Sequence, residues 1–331
     1  MKIMVYEARP DERADLEKQA ALHGVELSVT DAVPTLENAS LAAGCIGVSI
    51  LGQGCIDAAL LDAYHALGIR YLSTRTIGYD HIDLDHARSI GLRVCSASYA
   101  PNGVADFTVM MILMCLRHYK QALWRGQVND FSLTGLPGRE MKDLTIGIIG
   151  TGRIGAQVAR NLSGFGCRIL AYDLRRNPAV EPQVTYVDFD TLLAQSDVIT
   201  LHMPLLDSNR HIINRESIAK MRDGVVIVNC SRGELADIEA LIEGIETGKI
   251  GALGMDTVEG DEGIIHADHR VDILPNRNWF YLHQFRNVIM TQHMAFYTDA
   301  AVSSMVDCGI GGICQMAAGE SCPTELTGPV Q

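Results

Sequence analysis

Three segments late in the chain carry side chains of complementary chemistry. Val228-Asn-Cys-Ser-Arg-Gly-Glu234 supplies a guanidinium, Arg232. Gly254-Met-Asp-Thr-Val-Glu-Gly-Asp-Glu262 supplies carboxylates, and Thr291-Gln-His-Met-Ala-Phe-Tyr297 supplies an imidazole, His293. A cation, carboxylates and an imidazole in one place suit the reduction of a 2-oxo acid by NADH. Arg232 would grip the substrate carboxylate with its fork of donors while polarising the carbonyl. His293 would deliver a proton to the developing alkoxide. An acid beside the ring would orient it and keep it protonated. Taken singly, a loop arginine is more often a solvated charge, and a histidine after a strand is usually structural. The joint reading therefore depends on the elements that hold the three segments.

Each segment follows an apolar run that reads as a buried strand: Val225–Val228, Ile250–Met255 and Val288–Thr291. The C-terminal ends of such strands are where an open α/β sheet binds its ligands. The same series begins with Leu144 to Ile149 and a G-x-G-x-x-G turn, Gly150-Thr151-Gly152-Arg153-Ile154-Gly155, opening a helix. Gly150 permits the tight turn, Gly152 lets a pyrophosphate approach the backbone, and Gly155 lets helix and strand pack closely. A second strand, Cys167–Tyr172, ends at Asp173. A carboxylate there accepts the ribose hydroxyls of NAD and repels a 2′-phosphate, so NAD is expected over NADP, with Arg175 and Arg176 softening that repulsion.

Strand–helix alternation also fills the first hundred residues, with strands expected at Lys2–Tyr6, Val25–Val29, Gly47–Leu51, Tyr71–Thr74 and Leu92–Ser96. The pattern predicts two doubly wound parallel-sheet α/β domains, a Rossmann-type NAD domain (101–298) inserted into a flavodoxin-like substrate domain (1–100 and 299–331). Pro101 opens one long helix expected to run to Gly126, and an amphipathic stretch at Asp299–Ala318 leads back. The active site is expected in the cleft between the domains.

With 47% hydrophobic and 20% charged residues, the 331-residue chain fits a soluble protein with a large core. A net charge of -13 argues against nucleic-acid or anionic-membrane partners. Nine scattered cysteines without a C-x-x-C pair read as reduced core thiols, and the N-terminus reads as a strand, not a signal peptide; a cytoplasmic protein is expected. The longest apolar stretch, Phe107 to Leu116, is too short for a membrane span. His266, Asp268 and His269 mimic a metal cluster but lack further ligand spacing, so a solvated loop and no metal are expected. Nothing in the spacing of His81 and His86 assigns them a role.

The sequence resembles the D-isomer-specific 2-hydroxyacid dehydrogenases along nearly its whole length. The likeness is carried by Ser73 to Asp83, Tyr99-Ala-Pro-Asn102, Gly150–Gly155, Val228–Gly233, His293–Thr298 and the tail Gly319-Glu-Ser-Cys-Pro-Thr-Glu-Leu326. It is similar above all to the branch of D-lactate and (R)-phenyllactate dehydrogenases. The resemblance implies that Arg232 binds substrate, that His293 is the acid/base, and that Ile77 and Gly78 offer backbone N–H groups to the substrate carboxylate. It implies that Tyr99 and Phe296 line the pocket. Arg153, Ile154, Asp173, Met203, Pro204, Asn209, Cys230 and Asp256 would contact NAD, with Gly150, Thr151, Gly152, Gly155 and Ser231 in the same motifs.

One departure stands out. The family's glutamate partner of the histidine falls at Asp261, one methylene shorter and followed by Glu262. Asp261 with a small backbone shift is preferred over Glu262 through a local slip, or over a weak relay. The expected substrate is a small 2-oxo acid: pyruvate first, then phenylpyruvate or 4-methyl-2-oxopentanoate. 2-Oxoglutarate would want an extra cation, for which Arg75 is the visible candidate. The resemblance further implies a homodimer. The rival reading is an NAD-sensing corepressor, which shares the fold but calls for extra interaction segments.

Overall fold

The protein, seen here in a computed structural model, is described over residues 1–274 and 276–328. It divides into two compact units, Met1–Ala100 with the chain from Tyr297 onward, and Pro101–Phe296.

In the first unit, β1 (Lys2–Val5), β2 (Glu26–Val29), β3 (Gly47–Ile50), β4 (Tyr71–Thr74) and β5 (Arg93–Cys95) form a parallel sheet ordered β2-β1-β3-β4-β5. The intervening helices are α1 (Arg13–His23), α2 (Ala58–Ala66) and α3 (Leu84–Ser89). Asp57 and Asp83 cap α2 and α3 by accepting the N–H groups of Leu60 and His86, which stops each helix at a defined residue. Central β3 is buried throughout, whereas edge strand β2 has no buried residue, so the core gathers under the middle of the sheet.

Arg75, at the end of β4, is fully buried and committed to that core. Its guanidinium donates to Glu12 Oε1 at 2.9 Å, Ser49 Oγ at 3.2 Å and the Tyr6 carbonyl at 3.0 Å. The expectation that Arg75 could serve as a pocket cation is therefore overturned. A buried guanidinium must be paired, and Glu12, itself fully buried, neutralises it.

The second unit opens with α4 (Asn102–Leu116) and α5 (Tyr119–Gln127). The single helix expected over 101–126 is broken at His118, which adopts a left-handed conformation at φ 50°. The returning segment explains the break. Arg139 N–H takes the Leu116 carbonyl at 3.1 Å, and His118 Nε2 lies 3.2 Å from the Pro137 carbonyl. Then follow β6 (Thr145–Ile149), α6 (Arg153–Ser163), β7 (Arg168–Tyr172), β8 (Thr185–Tyr186), α7 (Phe189–Gln195) and β9 (Val198–Leu201). The chain continues through α8 (Arg215–Lys220), β10 (Val225–Asn229), α9 (Ile238–Glu246), β11 (Ile250–Met255), α10 (Arg277–Gln284) and β12 (Val288–Met290).

These seven strands are all parallel, ordered β12-β11-β10-β9-β6-β7-β8. Every residue of β6, β9 and β10 is buried, as continuous apolar runs covered on both faces require. Strand order reverses between β6 and β9, and a doubly wound sheet opens a ligand crevice at such a point. On one face α4 buries Met111, Ile112 and Leu116, each worth about 1.5–3 kcal/mol relative to exposure.

The final helix, α11 (Asp299–Ala317), returns to the first unit and packs on β3, β4, β5 and α1. It is the one helix among the described residues long and apolar enough to cross a membrane. Ten of its residues are buried in this unit, among them Val306, Ile310 and Ile313, the pattern of a core helix.

Candidate active site

The glycine turn has the geometry its spacing implies. Gly150 lies at φ 92°, and a Cβ there would come within 2.7 Å of the His202 carbonyl. A Cβ on Gly155 would lie 2.0 Å from the Gly150 carbonyl, so no other residue lets α6 approach β6 this closely. Around Gly152 there is open space, and it caps α6 without a side-chain bond. The first N–H groups of α6 thus have no side-chain cap at Gly152, and a helix N-terminus of this kind suits a pyrophosphate.

Asp173 organises the turn from the end of β7. Its Oδ2 accepts Thr151 N–H at 2.6 Å and Thr151 Oγ1 at 3.1 Å, while Oδ1 accepts Arg175 N–H at 3.0 Å. Tyr186 donates to Thr151 Oγ1 at 2.8 Å, and the Arg176 guanidinium lies over that ring, 5.5 Å from its centroid. On the other side of the switch point, Asn209 donates to the Pro204 carbonyl at 2.8 Å and to Met203 Sδ at 3.4 Å. Ser231 Oγ donates to the Met203 carbonyl at 2.6 Å, tying that turn to the loop after β10.

The loops carrying the three chemical segments are bonded to one another. Asn229, fully buried at the end of β10, accepts Ser231 N–H at 3.0 Å and donates to the Arg232 carbonyl at 2.7 Å. These bonds curl Cys230, Ser231 and Arg232 into a defined turn, with burial holding the Cys230 thiol protonated. A Cβ on Gly233 would sit 2.3 Å from the Val258 carbonyl carbon, so this loop packs directly on the one after β11. Buried Asp256 then reaches the third loop. Its carboxylate accepts Thr291 Oγ1 at 2.5 Å, Met294 N–H at 2.9 Å and Ala295 N–H at 2.8 Å. His293, between those partners, adopts a left-handed φ of 53°.

The acids differ in setting. Asp261 is half-buried, its Oδ2 accepting Val258 N–H at 3.0 Å, whereas Glu262 is exposed. Burial, aided by repulsion from Glu262, Glu234 and Asp256, pushes the Asp261 carboxyl up to about 6. His202, beside the glycine turn, is driven down to about 3 by burial, so it is neutral near pH 7 and no source of a proton.

Sequence reading missed the surroundings of His293. His266, expected in a solvated loop, is exposed, and its ring lies 6.0 Å from that of His293. Its Nε2 lies 3.2 Å from the His293 carbonyl, and Phe296 lies 6.4 Å from both rings. Nor was the contact of His211 Nε2 with Glu259 Oε1 at 2.6 Å legible, since it joins segments 48 residues apart. In the first unit, Thr76 Oγ1 donates to the Gly78 carbonyl at 2.6 Å and shapes the Ile77–Gly78 turn. His81 Nε2 lies 3.3 Å from Thr74 Oγ1, and His86 Nε2 pairs with Asp62 at 2.8 Å, so both have structural partners. Tyr99 follows β5 and is half-buried.

Comparison with known proteins places this geometry. Residues 109–295 match the sequence model for the D-isomer specific 2-hydroxyacid dehydrogenase, NAD binding domain. The chain is 42% identical over 311 residues to an aromatic 2-oxoacid reductase of Clostridium sporogenes, covering 93% of each. It is similar to the solved apo-structure of D-lactate dehydrogenase from Escherichia coli, with TM-score 0.86, 35% identity and coverage of 98% of this chain and 100% of that one. It is also similar to D-lactate dehydrogenase with NAD+ from Lactobacillus jensenii, with TM-score 0.85, 33% identity and coverage of 98% and 99%. NAD is the cofactor, and the open cradle at Gly152 fits it. The chain belongs to the D-isomer-specific 2-hydroxyacid dehydrogenase family and is an NAD-dependent oxidoreductase.

Proposed function

We propose that the chain reduces a 2-oxo acid to the (R)-2-hydroxy acid, with pyruvate to D-lactate as its leading reaction. The observation that carries this reading is the bonding of three loops, through Gly233 and Asp256, at one end of the seven-stranded sheet. Bound NADH supplies a hydride to the substrate's C2. Arg232 holds the substrate carboxylate and polarises the keto oxygen. His293 gives its proton to that oxygen as the alkoxide forms, and Asp261 supports the imidazolium. Asp261 is preferred to Glu262 because it is half-buried in the turn, while Glu262 faces solvent. Phe296 beside His293 lines the pocket. The parts of Ile77, Gly78 and Tyr99 in substrate binding are those the family likeness implies.

For the cofactor, Gly150, Thr151, Gly152, Arg153, Ile154 and Gly155 receive the pyrophosphate, and Asp173 receives ribose hydroxyls. Met203, Pro204, Asn209, Cys230 and Ser231 flank the remainder. Asp256 acts chiefly through the loop it holds, because three donors already occupy its carboxylate.

A second reading, phenylpyruvate to (R)-phenyllactate, is favoured by the 42% identity to an aromatic 2-oxoacid reductase. The test is kcat/KM for pyruvate, phenylpyruvate, 4-methyl-2-oxopentanoate and 2-oxoglutarate. Pyruvate is expected highest; a clear preference for phenylpyruvate selects the second reading, and turnover of none overturns both. The same reading includes a cytoplasmic homodimer. It is supported by nine free thiols and by the exposed apolar residues Leu123, Trp124, Phe131 and Leu133 on and after α5.

A further inference from the structure

Two of the nine thiols are not isolated core residues. Cys95 ends β5 and is fully buried, and Cys322, 7% exposed, lies in the tail after α11. The sulfurs of both lie against Gly312 of α11, where a Cβ would be 2.7 Å from the Cys95 sulfur and 3.5 Å from that of Cys322. A larger residue at 312 would push the pair apart.

The tail beyond Cys322 lies along β5 as a short antiparallel strap. Ser96 N–H donates to the Thr324 carbonyl at 3.0 Å, Leu326 N–H donates to the Val94 carbonyl at 2.8 Å, and Cys95 bridges Glu325. Arg93 clamps the Glu325 carboxylate with bonds of 2.8 and 2.7 Å. A third thiol, Cys308, is engaged elsewhere, donating to the Ser98 carbonyl at 3.4 Å.

We propose that Cys95 and Cys322 are a redox modification site, forming a reversible disulfide with a small disulfide as oxidant and stapling the tail to β5. Cys322 is the attacking group. The neighbouring Cys95 thiol and the Thr324 hydroxyl, 3.6 Å away, favour its thiolate and bring it down to about 6, while the same neighbour and burial push the Cys95 thiol up. The Cys322 thiolate attacks one sulfur of the oxidant, forming a mixed disulfide and expelling one thiolate. Cys95 then attacks the Cys322 sulfur, the second thiolate leaves, and it takes the Cys95 proton. Two cysteines are oxidised and one small disulfide is reduced to two thiols. Cys322 is 7% exposed, so the oxidant reaches it when the strap of residues 324–326 lifts from β5. Because β5 continues through Ser96 and Ala97 to Tyr99, the link would fix the strand leading to that residue.

The test exposes the full-length protein to oxidised glutathione, quenches with acid, alkylates remaining thiols under denaturation and maps the peptides. The expected product joins the Cys95 and Cys322 peptides, lighter by two hydrogens, in most molecules, and dithiothreitol reverses it. Cys95→Ser and Cys322→Ser abolish the product, and Cys308→Ser leaves it. Exposed Cys55 serves as an internal control that the oxidant has acted. Glutathione on Cys55 with Cys95 and Cys322 both alkylated would overturn the proposal, as would a Cys322–Cys308 link. The wild-type map decides even where a serine variant fails to fold.

Discussion

The Asp256 carboxylate accepts the backbone N–H of Met294 at 2.9 Å, one residue beyond His293. With Thr291 and Ala295 bonded to the same carboxylate, one buried side chain at the end of β11 sets the loop that presents the imidazole. A left-handed backbone at His293 is otherwise disfavoured, and these bonds hold it.

Asp256→Ala removes three acceptor contacts from a buried site. We expect a loss of about 2–4 kcal/mol in stability and a fall in kcat of about tenfold or more, as the imidazole loses its placement. Thermal melts and steady-state kinetics measure both. A variant with lowered stability and unaltered kcat would sink the link between Asp256 and His293.

Asp261 titrates at about 6 instead of 3.8, chiefly because burial disfavours its charge. A carboxyl raised in the fold favours the native state fully below about pH 4, and that advantage is lost as pH rises through about 6. Asp261→Asn is therefore expected to stabilise the protein by about 1–3 kcal/mol near neutral pH. The gain should vanish near pH 4, while keto-acid reduction slows and its pH profile shifts. Melts across this range are the check; a neutral-pH variant less stable than the parent would contradict the assignment.

Arg75→Met strips the buried Glu12 carboxylate of its guanidinium partner, leaving it the Arg9 backbone N–H at 3.0 Å and the more distant Arg9 guanidinium at 4.0 Å. It should cost about 3–5 kcal/mol, and adding Glu12→Leu should restore much of it. Relative kcat/KM for 2-oxoglutarate and pyruvate should stay within about twofold, since the guanidinium serves packing and not a pocket. A selective change for 2-oxoglutarate would reopen the pocket role.

The glycines of the cofactor turn should separate by substitution. Gly155→Val meets the Gly150 carbonyl and should lower both Tm and NADH affinity. Gly152→Ala enters open space, so it should weaken NADH binding while shifting stability by about 1 kcal/mol or less. Fluorescence titration with NADH and a melting curve distinguish them, and equal losses of stability would count against the distinction.

Trp124→Glu with Phe131→Glu should convert a homodimer of two 36.0 kDa chains to the monomer, because both side chains are exposed in the single chain. Light scattering on a sizing column reads the mass. A wild type already monomeric would remove the basis for the dimer.

The periodicity of apolar runs and the glycine turn were enough to read both parallel sheets and the loops after the strands that hold Arg232 and His293. Such features are local: a buried strand needs consecutive apolar residues, and a pyrophosphate cradle needs glycine at fixed offsets. The family likeness added residue roles that spacing alone could not assign. What sequence did not convey depends on which distant groups meet. Arg75 looked available until Glu12, 63 residues away, was found holding it in the core. His266 looked like an idle loop residue until folding set it beside His293, 27 residues on. The break at His118 arises because Arg139 takes the Leu116 carbonyl, a contact no helical pattern contains. Backbone periodicity is written in neighbouring residues, whereas the charge state and placement of a side chain depend on partners that only tertiary packing supplies.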